Sequence, residues 1–199
     1  LGDTQNRNIL VEMPLENIEG EVISVSLGHV HTAVLTNKGK VYVCGNNDRG
    51  QLGLGDDVNR NRLEEIPLEN IEGKVVNISL GFSNTAVLTN KGKIYVCGWN
   101  NRGQLGLGDN VNRNSLVEMA LDNIEGKVVS ASLGYRHTLV LTEEGKVYVC
   151  GLNDEGQLGL GDDVDRNSLV EMPTRIISGA KDALDHAYKV NSFIRRIAA

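Results

Sequence analysis

The chain has 199 residues, of which 40% are hydrophobic and 23% charged, and its formal net charge is −6. This composition excludes a collagen, a disordered chain and a membrane-spanning helix, and the acidic balance argues against general affinity for nucleic acids. Glycine stands out, with 23 residues, because the usual share of about 7% would give about 14. A sequence repeat explains this excess.

The repeat is easiest to see from the cysteines, which stand 53 residues apart at Cys44, Cys97 and Cys150. The heptapeptide Gly-Gln-Leu-Gly-Leu-Gly-Asp recurs with the same period, at residues 50–56, 103–109 and 156–162. A fixed period of this length indicates one supersecondary unit stacked on itself. We therefore divide the chain into a repeat segment, residues 1–173, and a tail, residues 174–199. The units of the repeat segment are residues 1–53, 54–106 and 107–159, with a partial unit at 160–173.

Each unit contains four predicted strands, described here for the first complete one. Residues 21–27 combine an alternation of polar and apolar residues with β-branched side chains, which favours a strand. Residues 32–36 and 40–44 are short apolar runs, which also favour strands. A turn with Gly39 joins the second and third strands. A long loop then leads to a weaker fourth strand at residues 63–67, where Pro67 suits an outer position.

Four short strands in a unit of about 50 residues are typical of a propeller blade. A solenoid of hairpins is the alternative, but the strand count and the glycine-rich corners favour the propeller. The predicted fold class is all-β: a partial β-propeller of three four-stranded antiparallel blades. An orphan N-terminal outer strand is expected at residues 9–14, and the apolar spacing in the tail predicts a C-terminal α-helix over residues 180–197.

The repeated motif resembles that of a known family. The pattern Gly-x-x-His-Thr-x-x-Leu-Thr-x-x-Gly-x-Val-Tyr-x-x-Gly-x-Asn-x-x-Gly-Gln-Leu-Gly-Leu-Gly-Asp occupies residues 28–56, 81–109 and 134–162, with Asn84 replacing the histidine in the second copy. It is similar to the repeat of the regulator of chromosome condensation family, over residues 1–173. The resemblance implies a β-propeller, usually of seven blades. Known members include an exchange factor for the small GTPase Ran, ubiquitin-ligase subunits, an ultraviolet sensor and a β-lactamase inhibitor.

The repeated polar and glycine positions favour architecture over ligand chemistry. The glycine-rich heptapeptide is not followed by a helical pattern, so we interpret it as a corner rather than a phosphate-binding loop. Asp and Arg recur four residues apart, as in Asp56 and Arg60, which favours a local pair that orders the turn. His31 and His137 begin the second strand, and the replacement by Asn84 favours a hydrogen-bonding role over metal binding or acid–base catalysis.

The cysteines and histidines lack metal-ligand spacing, so the sequence predicts neither a metal nor a cofactor. Equivalent points on packed sheets lie about 10 Å apart, too far for a disulfide, and the cysteines are expected to be buried thiols in a reducing compartment. The chain shows no initiating Met and no apolar leader. The expected location is cytoplasmic or nuclear.

Positions that vary among the repeats indicate where a partner would bind. They fall in the corner between the first two strands and at the start of the long loop, which are alternate connections and therefore share one face. This face collects the side-chain types that dominate interfaces, Trp, Tyr and Arg. The predicted partner-binding residues are His29, Arg49, Phe82, Trp99, Arg102, Tyr135, Arg136 and Asp154.

The chain shows no nucleophile–base pair and no paired carboxylates, so a non-catalytic protein-interaction module is predicted. The alternative, which the resemblance implies, is an exchange factor or regulator of a Ran-like small GTPase. In the Ran exchanger one blade carries an inserted hairpin wedge, whereas these repeats keep 53 residues without insertion. The ultraviolet-sensor function rests on clustered tryptophans, and Trp99 stands alone. Self-association that closes the propeller is a further expectation, since rings have 4–8 blades.

Overall fold

The computed structural model describes residues 2–173, in which twelve β-strands form three separate four-stranded sheets. Blade 1 consists of β1 (Val22–Leu27), β2 (His31–Thr36), β3 (Val41–Gly45) and β4 (Arg60–Glu65). Blade 2 consists of β5 (Val75–Leu80), β6 (Asn84–Thr89), β7 (Ile94–Gly98) and β8 (Arg113–Glu118). Blade 3 consists of β9 (Val128–Leu133), β10 (His137–Thr142), β11 (Val147–Gly151) and β12 (Arg166–Glu171).

The strands of each blade pair in chain order, so each sheet is an antiparallel up-and-down meander. In blade 1, Leu27 of β1 lies opposite Thr32 of β2, and His31 lies opposite Gly45 of β3. This architecture confirms the predicted all-β partial propeller of three blades. No helix among residues 2–173 is long and apolar enough to cross a membrane. The helix predicted over residues 180–197 lies outside the described residues.

The predicted orphan strand at residues 9–14 does not form. An outer strand pairs with the third strand of its own blade, as β4 does with β3, and residues 2–8 contain no strand that could play this part. Ile9 and Val11 consequently remain exposed. The sequence pattern correctly reflects the repeat, but strand formation also requires a pairing partner.

The fourth strand lies earlier in the chain than the pattern predicts. In blade 1 the sequence pattern places this strand at residues 63–67, whereas β4 spans Arg60–Glu65 and Pro67 lies beyond its end. The Arg60 guanidinium pairs with the Asp56 carboxylate at 2.7 Å, and Arg60 lies opposite Gly45 in the sheet. The ion pair and the strand pairing thus tie the end of the long loop directly to the start of β4.

The hydrophobic core lies largely between neighbouring blades. One cluster joins Ala33 and Leu35 of β2 to Ile78 and Leu80 of β5. A second cluster joins blade 2 to blade 3 in the same way and includes Ala86, Leu88, Val128 and Val140. Because blade 2 is covered by a neighbour on each side, its central strands β6 and β7 are buried on both faces, as the short continuous apolar runs of the sequence predict.

Candidate functional site

The two sets of variable positions lie at the same end of the blades. In each meander the corner after the first strand and the loop after the third strand are alternate connections. In blade 2 the corner carries Phe82 and the loop begins with Trp99, and the centroids of their rings are 6.2 Å apart. Side chains far apart in the sequence therefore meet at this end.

A row of aromatic rings crosses all three blades at their first corners. His29 of blade 1 stacks on Phe82 of blade 2, with ring centroids 4.2 Å apart and an interplanar angle of 20°. Phe82 also contacts Tyr135 of blade 3 at 4.3 Å, in a tilted arrangement. Phe82 and Trp99 are half-buried, whereas His29 and Tyr135 are exposed. The row thus has a packed centre and accessible ends.

Two guanidinium groups flank the single tryptophan. Arg136 Cζ lies 4.2 Å from the centroid of the Trp99 ring and 5.1 Å from that of Tyr135. Arg49 of blade 1 approaches the Trp99 ring at 5.6 Å. Both contacts are within the range of cation–π attraction. We call the combined patch the aromatic surface, defined by His29, Arg49, Phe82, Trp99, Tyr135 and Arg136.

The backbone around Gly98 places Trp99 beside Phe82. Gly98 has a φ of 104°, and a Cβ built on it would overlap the Ser83 carbonyl oxygen. Only glycine lets the end of β7 pass so close to the preceding corner. The Trp99 N–H then donates to that same Ser83 oxygen at 2.8 Å, which fixes the start of the long loop.

A buried asparagine holds each long loop in shape. In blade 2 the Asn100 side chain is completely buried; its Oδ1 accepts the Leu105 N–H at 2.8 Å, and its Nδ2 donates to the Asp109 carbonyl oxygen at 3.0 Å. Asn47 and Asn153 make the equivalent bonds in the other blades. Sequence reasoning missed this role by grouping these residues with their variable neighbours. The recurrence of an asparagine at this position in every repeat was the signal that could have indicated this structural role.

The glycine-rich heptapeptide is a corner that packs on the following blade. The Gly55 N–H of blade 1 donates to the Asn114 carbonyl oxygen of β8 at 2.7 Å. Beside it, Asp56 Oδ1 accepts the Val58 N–H at 2.9 Å, while its other oxygen pairs with Arg60. The Arg60 guanidinium, through its hydrogen bond, holds the pKa of Asp56 below its usual range. The glycine corner and the Asp–Arg pair both have structural roles, as the sequence predicts.

His31 links blade 1 to blade 2 from a buried position. Its Nε2 lies 3.0 Å from the Thr85 hydroxyl, which donates to the Gln51 carbonyl oxygen at 2.7 Å. Burial lowers the pKa of His31 to about 4, so its ring is neutral at physiological pH. The histidine is a hydrogen-bonding residue of the blade interface.

The three cysteines are free thiols, as expected. Cys97 and Cys150 are fully buried, whereas Cys44 is half-buried. Burial raises the pKa of Cys97 and of Cys150 to about 12. Among residues 2–173, no group of three or more His, Cys, Asp or Glu side chains is placed to hold a metal ion.

Two of the predicted partner-binding residues make contacts away from the aromatic surface. Arg102 Nη1 pairs with Asp165 Oδ2 at 3.2 Å, which links blade 2 to the end of the blade 3 loop. Asp154 Oδ1 accepts a hydrogen bond from Gln157 Nε2 at 3.2 Å within its own loop. The structure therefore brings six of the eight predicted residues into the aromatic surface.

Three stacked four-stranded meanders with repeated glycine corners define a segment of a β-propeller. The sequence matches the family described as the regulator of chromosome condensation (RCC1) repeat over residues 38–88, 91–141 and 144–188. A second description of the same repeat matches residues 22–51, 75–104 and 128–157. The chain belongs to the RCC1-repeat family.

Known relatives support this assignment. The chain is 40% identical to the ultraviolet-B receptor UVR8 of Arabidopsis thaliana over 173 residues, which cover 84% of the chain and 37% of that protein. It is 34% identical to the human regulator of chromosome condensation over 148 residues, which cover 73% of the chain and 34% of that protein. The chain thus spans little more than a third of the length of these relatives.

Solved structures show the same fold. Human WBSCR16 superposes with a TM-score of 0.74 at 25% identity, covering 82% of this chain and 40% of that one. Prp20p of Saccharomyces cerevisiae superposes with a TM-score of 0.67 at 20% identity, covering 76% and 38%. The crystal structure of Prp20p was described together with its binding properties to Gsp1p and histones.

Proposed function

We propose that this chain is a non-catalytic protein-interaction module and that the aromatic surface is where its partner binds. The observation that carries the proposal is the environment of the Arg136 side chain. Its Nε is buried and has no hydrogen-bond partner among residues 2–173, while its guanidinium is held over the Trp99 ring. A partner cannot reach the buried Nε itself, so the acceptor that it supplies would bind the two terminal nitrogens of the guanidinium.

The chemistry of the surface favours a partner with a carboxylate next to an apolar group. Within residues 2–173, neither Arg49 nor Arg136 forms a salt bridge, so both guanidinium groups are available to an acidic side chain. Phe82 and Tyr135 lie beside them. Arg, Trp and Tyr contribute disproportionately to binding energy at protein interfaces, and a guanidinium recognises a carboxylate through two parallel hydrogen bonds.

The second candidate function is nucleotide exchange on, or other regulation of, a Ran-like small GTPase. It is favoured by the 34% identity to the human regulator of chromosome condensation. The binding of Gsp1p by Prp20p is also consistent with it. Exchange of this kind works through protein contacts, so it requires no catalytic side-chain constellation in this chain.

A nucleotide-release assay on a panel of small GTPases, combined with direct binding measurements, separates the two functions. Accelerated release that is abolished by Trp99→Ala and Arg136→Ala would support the exchange function. Binding without acceleration would support the interaction module and rule out exchange on that GTPase.

A matched control for Trp99→Ala is Leu152→Ala, because Leu152 occupies the same position of the repeat in blade 3. We expect Trp99→Ala to weaken partner binding by about 2 kcal/mol or more, with the circular dichroism spectrum unchanged. Equal losses of binding in the two variants would contradict a site centred on Trp99.

We also propose a cytoplasmic or nuclear location, because the three cysteines are free thiols and reducing compartments keep thiols reduced. Fractionation of cells that express the tagged protein tests this proposal. Recovery from a secreted fraction would contradict it.

A second copy of the chain is another partner that we propose. In β1, Val25 and Leu27 are 65% and 73% exposed, whereas the equivalent Ile78 and Leu80 of β5 are 6% and 7% exposed under blade 1. An uncovered apolar strand face favours association. Size-exclusion chromatography with light scattering tests this, and a chain that stays monomeric would contradict it.

A further inference from the structure

Two arginines at the same position of the repeat make different contacts. Arg102 of blade 2 pairs with Asp165 of blade 3, and the distance from Nη1 to Oδ2 is 3.2 Å. Arg49 of blade 1 stands 53 residues earlier, yet its Cζ lies 5.6 Å from the centroid of the Trp99 ring. The two guanidinium groups therefore turn in different directions from equivalent positions of the repeat.

The loops that carry the two arginines do not explain this difference. The Arg49 N–H donates to Gln51 Oε1 and the Arg102 N–H donates to Gln104 Oε1, both at 2.9 Å. Each arginine also lines a groove against the outer strand of the following blade, with a volume of about 260 Å³ for Arg49 and about 250 Å³ for Arg102. Because the backbones make the same hydrogen bonds, the cause lies in the side chains across each groove.

Asp165 holds Arg102 because each of its two oxygens has a partner. Its Oδ1 accepts the Asn153 N–H at 2.8 Å, which orients the carboxylate, and its Oδ2 then faces Arg102. In blade 2 the equivalent residue is Asn112, whose Oδ1 accepts the Asn100 N–H at 2.9 Å. By repeat equivalence, the amide nitrogen of Asn112 takes the place that Oδ2 has in Asp165.

The Asn112 amide cannot hold Arg49 in the groove between blades 1 and 2. Its NH₂ group donates hydrogen bonds and accepts none, and it carries no charge that would attract a guanidinium. The groove is also lined by Asp48 and Asp57, but within residues 2–173 neither carboxylate pairs with Arg49. Arg49 is thus left to approach the Trp99 ring.

This release gives the Trp99 ring a second cation. The first is Arg136 of blade 3, whose Cζ lies 4.2 Å from the ring centroid. The blades on either side of blade 2 therefore each supply one guanidinium to the same ring, and one short segment of a partner can reach both. A guanidinium has five N–H donors, so one that contacts a ring retains donors for a carboxylate.

We propose that Asn112 determines the specificity of the aromatic surface by leaving Arg49 beside Trp99. The partner segment that fits has two acidic side chains, one on each side of an apolar residue. The acids bind Arg49 and Arg136, and the apolar residue contacts the ring between them. This inference rests on the proposed function and defines the chemistry of the partner more closely. An aspartate at position 112 would draw Arg49 into the groove, as happens in the next blade, and a single acid would then suffice.

The first experiment follows Arg49 without any partner, through the fluorescence of Trp99. Arg49→Ala removes the guanidinium from the ring, and Asn112→Asp should shift the emission spectrum in the same direction because Arg49 turns to the new carboxylate. The matched control is Asp165→Asn, the reverse exchange one blade further along. It releases Arg102 and should leave the emission spectrum unchanged.

Urea unfolding gives a second measure of the same change. Asn112→Asp should raise the equilibrium constant for folding about two- to fivefold more when Arg49 is present than in the Arg49→Ala background. High salt should weaken this coupling, because the new ion pair is exposed. An emission spectrum that Asn112→Asp leaves unchanged, or the absence of coupling, would overturn the role of Asn112, whatever the surface binds.

The second experiment tests the chemistry of the partner with a library of random short peptides displayed on phage and selected against the immobilised full chain. We expect peptides with two acidic residues around an apolar one, whose binding is lost in Trp99→Ala. Asn112→Asp and Arg49→Ala should each weaken these peptides about tenfold. In the Arg49→Ala background, Asn112→Asp should weaken them no further, which separates the movement of Arg49 from simple repulsion by the added charge.

Selected peptides that bind the unsubstituted chain and Asn112→Asp equally would overturn the specificity role of Asn112 while the proposed function stands. A selection that yields no peptide sensitive to Trp99→Ala would overturn the proposed function itself, together with the partner described here.

Discussion

The Arg136 guanidinium lies over the Trp99 ring, with Cζ 4.2 Å from the ring centroid, so that a corner of blade 3 covers a loop of blade 2. Because Trp99 is the only tryptophan in the chain, intrinsic fluorescence reports on this contact directly. The pair thus offers a spectroscopic measure of the aromatic surface that requires no knowledge of the partner.

Removal of the arginine should change the environment of the tryptophan. In Arg136→Ala the ring loses its cation and gains contact with water, so we expect the Trp99 emission to move to longer wavelength. The lost cation–π contact should lower the free energy of unfolding by about 1 kcal/mol. Fluorescence spectra and urea unfolding measure the two effects.

The control for this substitution is Arg102→Ala. Arg102 pairs with Asp165 instead, so its removal should leave the emission spectrum unchanged. If Arg136→Ala gave the same spectrum as the unsubstituted protein, the contact between Arg136 and Trp99 would be absent in solution.

The aromatic surface shows how far the sequence alone could predict a site. The repeat and the meander placed Phe82 and Trp99 on one face, because alternate connections of a meander share an end. The sequence did not predict that Phe82 would be half-buried between His29 and Tyr135. That burial depends on how closely neighbouring blades pack, which the pattern within a single repeat does not contain.

The strand boundaries also show what the pattern within a single repeat cannot predict. The first three strands of each blade follow from their alternation or their short apolar runs. The start of β4 at Arg60, however, coincides with the ion pair to Asp56 and with the pairing to Gly45, and residues 9–14 form no strand because residues 2–8 supply no strand to pair with them. Local pattern predicts the propensity for a strand, whereas pairing decides whether and where the strand forms.

A second prediction concerns the buried amide of the long loop. Asn100→Ala leaves the buried Leu105 N–H without its acceptor and removes the donor to the Asp109 carbonyl oxygen. We expect a loss of about 2–4 kcal/mol in the free energy of unfolding, measured with urea. The neighbouring Asn101 is exposed, so Asn101→Ala should change stability by less than about 0.5 kcal/mol. Similar losses of stability in both variants would show that the hydrogen bonds of the Asn100 side chain do not stabilise the fold.

A third prediction follows from the buried histidine. The pKa of His31 is lowered to about 4 in the folded chain, whereas an unfolded histidine has a pKa of about 6.5. Between these values the unfolded state binds more protons, so stability is complete above about pH 6.5 and falls as the pH decreases toward 4. We expect His31 to account for a loss of roughly 2 kcal/mol between pH 7 and pH 5.

The repeat supplies the control for this pH dependence, because Asn84 occupies the same position in blade 2. His31→Asn should therefore reduce the loss of stability between pH 7 and pH 5, as measured by urea unfolding at both values. His137→Asn should have a smaller effect, since burial is what lowers the pKa of His137 and this residue is less buried than His31. An unchanged pH dependence in His31→Asn would rule out this histidine as its source.

The last prediction separates backbone strain from contact between blades. Gly50 and Gly156 occupy equivalent corner positions with φ values of 76° and 71°, so alanine costs about 1–2 kcal/mol of strain at either. A Cβ on Gly50 would additionally lie 2.5 Å from Asn114 Cα, whereas the described residues leave open space around a Cβ on Gly156. Thermal unfolding should therefore show Gly50→Ala to be less stable than Gly156→Ala by a further 1–3 kcal/mol or so. Equal losses would mean that the corner contributes strain alone and that blade packing tolerates the added methyl group.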